Sequence, residues 1–122
     1  MEDLLIKTLE EALGYPVLLQ GSMAQEAIYP NHFFTYWNDD TDGMSHYDNT
    51  EGAILWQYSL NFYSVDPELV NNMFKTIKDT PTAKSVLKAA GWIVNGAGYS
   101  VMSDEPTHTG RGITITYRQN NN

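Results

Sequence analysis

The apolar positions of this chain change their spacing several times, and each change marks an element. Over residues 3–13 Leu5, Leu9, Ala12 and Leu13 recur at helical spacing. Glu2 and Asp3 suit the start of such a helix and Gly14 its end, so an amphipathic helix is expected. A short strand follows at 16–19, and the aromatic run HFFTYW at 32–37, bounded by turn residues, predicts another. Residues 53–64, AILWQYSLNFYS, alternate with a period of two. Ile54, Trp56, Tyr58, Leu60 and Phe62 fall on one face and Gln57, Ser59 and Asn61 on the other, the pattern of a strand with one buried face.

The next stretch, VDPELV, carries a helix start. Asp66 is placed to cap, Pro67 occupies the first helical position, and Val65 can staple onto Val70. Leu69, Met73 and Ile77 then turn inward on a helix expected to reach about Asp79. Thr80-Pro81 restarts a helix or turn with Ala83, Val86, Leu87 and Ala90 as its apolar positions and Gly91 as its stop. Residues 92–103 and 112–118 read as a hairpin, with Gly96 and Gly98 marking a bulge or bend in its first arm. The order α-β-β-β-α-α-β-β predicts an α+β domain. Two to three helices pack on a mainly antiparallel sheet in one domain over residues 1–118, with a frayed polar end at 119–122.

Composition narrows the classes. The 122 residues are 42% hydrophobic, enough for one real core. No apolar window is long enough to span a membrane, and the acidic, mixed start lacks the basic and apolar runs of a signal peptide. The absence of cysteine excludes disulfides, thiolate metal sites and a cysteine nucleophile, and fits assembly in a reducing cytosol. The net charge of −8 is uneven: residues 1–74 hold one basic side chain against twelve acidic ones, residues 75–122 six basic against three acidic. Such a chain is repelled by phosphate backbones and is not expected to sequester nucleic acid.

Residues 38–49, NDDTDGMSHYDN, come close to the spacing of a calcium-binding helix–loop–helix loop. Three departures weaken that reading. Asn38 stands where the first ligand is normally Asp, Asn49 cannot give a bidentate carboxylate, and the flanks are strands instead of helices. The segment 38–52 reads instead as a long hairpin connection, and connections of that length are uncommon unless they work or are disordered. Its Asp39, Asp40, Asp42, Asp48 and Glu51 make it a negatively charged candidate interface or channel loop. No cofactor is expected. His32, His46 and His108 have no metal-ligand spacing, and no nucleophile-elbow or phosphate-loop motif is present. Carboxylate pairs such as Asp39/Asp40 and Asp104/Glu105 lie in solvated loops without an apolar bracket, so no catalytic residue is assigned. Most of the eight tyrosines and all three tryptophans fall in expected strands, where core or subunit contact is their expected use. In SDEPTHTGRG at 103–112, Pro106 and Gly110 supply turn chemistry and Arg111 can pair with Asp104 or Glu105. This tip, with Asp104, Glu105, His108 and Arg111, reads either as a well-made hairpin turn or as a peg that docks on a neighbouring subunit.

The series FFTYWNDDTDG, YDNTE, LWQYSLNFYSVDPELV, LKAAGW and GYSVMSDEPTHTGRGITITYR resembles small virion proteins of long-tailed phages and prophages of Gram-positive bacteria, the tail terminator and tail-completion group, also called minor tail or minor capsid proteins. The resemblance implies an α+β subunit that forms a ring, often a hexamer, at the head-proximal end of the tail tube. It implies no enzymatic activity. The implied partners are further copies of the chain, the major tail tube protein and a head-completion or connector protein. DNA passes through without being held tightly, and the implied location is the virion, assembled in the host cytoplasm. A ring needs a heterologous contact, for which an acidic N-terminal part and a basic C-terminal part offer complementary patches. The acidic loop would then line the channel in preference to facing the head. The alternatives are a connector on the portal side, a small ligand-binding domain with a pocket under its helices, and a hydrolase using the acidic loops.

Overall fold

The computed structural model describes residues 2–20, 29–38, 46–48, 53–103 and 105–119. They form an α+β fold with α1 (Glu2–Leu13), β1 (Val17–Leu19), β2 (His32–Asn38), β3 (His46–Asp48), β4 (Ala53–Ser64), α2 (Pro67–Asn72), α3 (Ala83–Ala89), β5 (Ile93–Val94), β6 (Tyr99–Val101) and β7 (Thr109–Gln119). The strands make one sheet in the order β1-β2-β4-β7-β5, with β3 added to β4 and β6 to β7. Every pairing among the described strands is antiparallel except β1 with β2.

The long β4 organises the sheet. One edge pairs along its length with β7, from Ile54 opposite Gln119 to Ser64 opposite Thr109. Its other edge is shared, β2 taking Tyr58 to Ser64 and β3 taking Ala53 to Leu55. The alternation read from sequence is realised here: Tyr58, Leu60 and Phe62 are fully buried on the face that carries the helices. Phe34 from β2 and Ile113 and Ile115 from β7 meet them, and Leu5 and Leu9 of α1, Val70 of α2 and Leu87 of α3 close the core from above. Rings continue through that layer, with Phe34 and Phe62 centred 4.7 Å apart and Tyr15 packed against both.

Local signals account for the helix ends. Gly14 takes φ 78° after α1 and its N–H returns to the Glu10 carbonyl. The Asp66 side chain accepts from the Glu68 and Leu69 amides, with Pro67 in the first turn as expected. Val65 stays exposed, and it is the Ser64 hydroxyl that accepts from Asp66 N–H and helps hold the cap. Thr82 caps α3 in a reciprocal box with Ser85.

Several boundaries depart from expectation. Helix α2 stops at Asn72, well short of Asp79, although the next two side chains, Met73 and Phe74, both enter the core. Its last turn tightens to three-residue bonds, Met73 N–H donating to the Val70 carbonyl and Lys75 N–H to the Asn72 carbonyl, and the helix runs out there. The chain turns tightly instead: Ile77 bridges Thr80, Asp79 adopts φ 63°, and the Thr82 hydroxyl donates to the Lys75 carbonyl. The connection 38–52 contains a strand, β3, and the expected single arm 92–103 is two strands, β5 and β6, separated at the glycines. Strand β7 starts at Thr109, three residues before expectation. It also runs through Gln119, which had been assigned to the frayed end and accepts from Trp56 Nε1.

Candidate functional site

The sequence-predicted residues do not gather into one place. Of the acidic loop, Asp39, Asp40, Asp42 and Glu51 lie outside the described residues, as does Asp104. Asp48 is described only through its strand, as the β3 residue opposite Ala53. Among the described residues no group of three or more potential ligands could hold a metal ion.

The hairpin tip is tied inward. Arg111 does not pair with Glu105. Its guanidinium donates to the carbonyls of Ala97 at 2.6 Å and Gly98 at 3.1 Å. Those carbonyls belong to a bulge in which residues 95–98 stand against only Ile113 and Thr114 of β7, between the β5 and β6 pairings. Lys84 of α3 donates to the Gly96 carbonyl at 2.8 Å, so two cations hold the bulge against the helical layer. Gly98 is required there, because a Cβ would press into the Gly112 carbonyl and crowd Phe74. On the opposite face this bend leaves an open groove of about 440 Å³, lined by Ile93, Tyr99, Thr114 and Thr116 among others.

His108 also turns back. Its Nε2 donates to the Pro30 carbonyl at 2.8 Å, and its ring packs edge-on to Phe33 and Tyr29. Phe33 stacks on Tyr63, for whose ring Gly110 leaves room. The face away from the helices thus has a small cluster of its own, with Phe33 buried at its centre. Sequence reading treated that face as polar. The cluster's members come from three distant segments, 29–33, 63 and 108–110, and spacing alone carries no sign of them.

A second arrangement was also missed. At the N-terminus of α1, Glu2 and Asp3 line a notch of about 300 Å³ together with Trp56 and Tyr58 of β4. Tyr58 is fully buried, yet its hydroxyl has no hydrogen-bond partner. Burial, with the charge of Glu2 added, pushes its phenol up to about 12. The neighbouring Tyr36 donates to the Glu2 carboxylate, and its phenol is raised by burial and by the charges of Glu2 and Asp3. Glu2 and Asp3 read from sequence as helix-start residues, a role they keep.

Charge is distributed across the width of the sheet. Helix α1 is acidic, with Glu2, Asp3, Glu10 and Glu11 against Lys7. Its start lies by Trp56 and Tyr58 of the central β4, and its end packs on β1 at one margin, where the Glu10 carboxylate accepts from Val17 N–H at 3.1 Å. Helix α3, with Lys84 and Lys88 and no acidic residue, packs on β5 at the other. The two helices touch each other, so one layer runs from acidic to basic. No protein-family model matches this chain, and no curated protein matches it either.

Proposed function

We propose that the chain is a structural virion subunit of the tail terminator or tail-completion kind, closing into a ring at the head-proximal end of a phage tail tube. The motif series of the sequence suggests the class, and one observation in the fold supports it most. The outer strands β1 and β5 are flanked by helices of opposite charge, α1 acidic and α3 basic. A ring requires each subunit to offer two different, complementary faces to its neighbours. Margins of opposite sign meet that requirement without further machinery. In this reading the acidic loop carrying Asp39, Asp40 and Asp42 lines the channel and lets DNA pass without adhering.

The test is native mass measurement and electron microscopy over a concentration series, alone and with tail tubes. The expected result is monomer or weak association in dilute solution and a ring with a central hole on tubes or at high concentration. A tight two-fold dimer at every concentration would overturn the proposal, because it would consume a surface that the ring needs. Replacing Asp39, Asp40 and Asp42 with Asn tests the loop. Normal tails with impaired DNA passage support the channel role, and tails that never join heads place the loop at the head instead.

A further inference from the structure

The notch beneath the N-terminus of α1 has a composition that helix capping does not explain. Acidic residues in a first turn are ordinary, since they complement the helix dipole. A fully buried tyrosine hydroxyl with no partner is not ordinary, because an unmade hydrogen bond in the interior is destabilising. Tyr58 is such a residue, and it lines the same notch as Glu2 and Asp3. Trp56, the fourth lining residue, has its indole N–H already committed to Gln119, which leaves its ring as its contribution.

We propose that this notch receives the head of a cationic side chain, an alkylammonium or a guanidinium. Glu2 and Asp3 supply two negative charges, Tyr58 an oxygen lone pair, and Trp56 an aromatic surface suited to a cation. An anion is disfavoured by the two carboxylates. A purely apolar group would leave the Tyr58 hydroxyl unmatched. The notch lies at the end of the sheet where Asn38 pairs with Tyr58, the end from which the acidic connection leaves. A lysine or arginine presented by another polypeptide, including a second copy of this chain, has the reach to enter it. The site does not depend on the ring reading, since it is complete within one subunit.

The experiment titrates the isotopically labelled protein with methylguanidinium and with n-butylammonium while following the indole N–H resonance of Trp56. Neutral butyramide and matched sodium chloride serve as controls. Saturable shifts in the millimolar range with either cation, and none with the controls, are expected. The pair Glu2→Gln and Asp3→Asn, both on exposed positions, should weaken binding about tenfold or more, as loss of charged hydrogen-bond partners implies. Tyr58→Phe should weaken it by a smaller factor. Equal shifts with sodium chloride, or titrations unchanged in the Glu2/Asp3 double variant, would overturn the proposal. Sedimentation with and without millimolar methylguanidinium then separates the sources. If the cation dissolves self-association, a second copy supplies the side chain. If binding occurs with self-association unchanged, the side chain comes from another protein.

Discussion

His108 and Pro30 lie 78 positions apart and are joined by a 2.8 Å hydrogen bond from Nε2 to the backbone carbonyl. A carbonyl only accepts, so Nε2 carries the proton, and Nδ1 faces the Thr107 hydroxyl at 3.0 Å. The bond fastens the approach to β7 onto the segment that leads into β2, across the face that the helices leave open.

Removing that fastening should therefore be felt in stability. His108→Ala should destabilise the fold by about 1–3 kcal/mol, from the lost hydrogen bond and the exposed edge of Phe33. Thermal unfolding measures it. A variant with unchanged stability but impaired assembly would return His108 to the docking role considered for the hairpin tip.

The bulge at 95–98 makes a second prediction. Gly98→Ala should cost about 1–3 kcal/mol, since φ is +81° and the new Cβ meets the Gly112 carbonyl. Arg111→Lys should lose about 1 kcal/mol, because an ammonium cannot span the Ala97 and Gly98 carbonyls as a guanidinium does. Urea denaturation of both variants checks the pair, and equal stability to the parent would remove the bulge from the structural account.

Tyr58 predicts a pH dependence. Its folded phenol is raised to about 12 from the ordinary 10, so between those values the unfolded chain loses the proton first. Stability from this group is complete below pH 10 and falls as pH rises toward 12, by about 2–3 kcal/mol at the upper end. Tyr58→Phe should flatten that fall. At neutral pH it should stabilise the unliganded protein by about 1 kcal/mol, having removed an unmatched buried hydroxyl. Denaturation of both proteins at pH 7 and pH 11 tests each part.

Calcium should leave the fold unchanged. A site filled at 100 times its dissociation constant would add about 2.7 kcal/mol and raise the melting point by several degrees. Melts in a chelator and in millimolar calcium are expected to coincide, and a shift of that size would restore the helix–loop–helix reading of residues 38–49.

The opposite margins can be exchanged in sign. Glu11→Lys or Lys88→Glu alone should weaken self-association, and the two together should recover part of the loss, as a double-mutant cycle reads it. Both side chains are exposed, so folding should be unaffected. Additive weakening in the double variant would place the subunit contact elsewhere.

Much of the fold was legible because its signals are local. The alternation through Tyr58, Leu60 and Phe62, the Asp66-Pro67 start and the glycine stops each act within a few residues. What stayed hidden depends on distant partners. Strand β3 is three residues, HYD, with no apolar run to announce it, and it exists because β2 leaves the end of the β4 edge free. Gly96 and Gly98 marked a bend in sequence but not the side to which it folds, which Lys84 and Arg111 decide. The Phe33 cluster and the Glu2–Tyr58 notch join segments that no window of sequence contains together. Arg111 shows the converse. Adjacency in sequence suggested Asp104 or Glu105 as its partner; Arg111 binds two carbonyls and does not pair with Glu105, and Asp104 lies outside the described residues.

The bond from Val17 N–H to Glu10 has a meaning beyond the fold of one copy. In a parallel pairing with β2 the Val17 amide points outward, toward whatever strand would be added next. A carboxylate sits on that donor, so the template for hydrogen-bonded extension is blocked where it begins. Neighbouring copies are thereby denied the cheapest and least selective way of joining, main chain to main chain. If copies meet at this margin in the ring proposed above, recognition there falls to side chains, and such contacts weaken with salt. On that reading one glutamate both blocks strand addition at its starting donor and makes the contact sensitive to ionic strength.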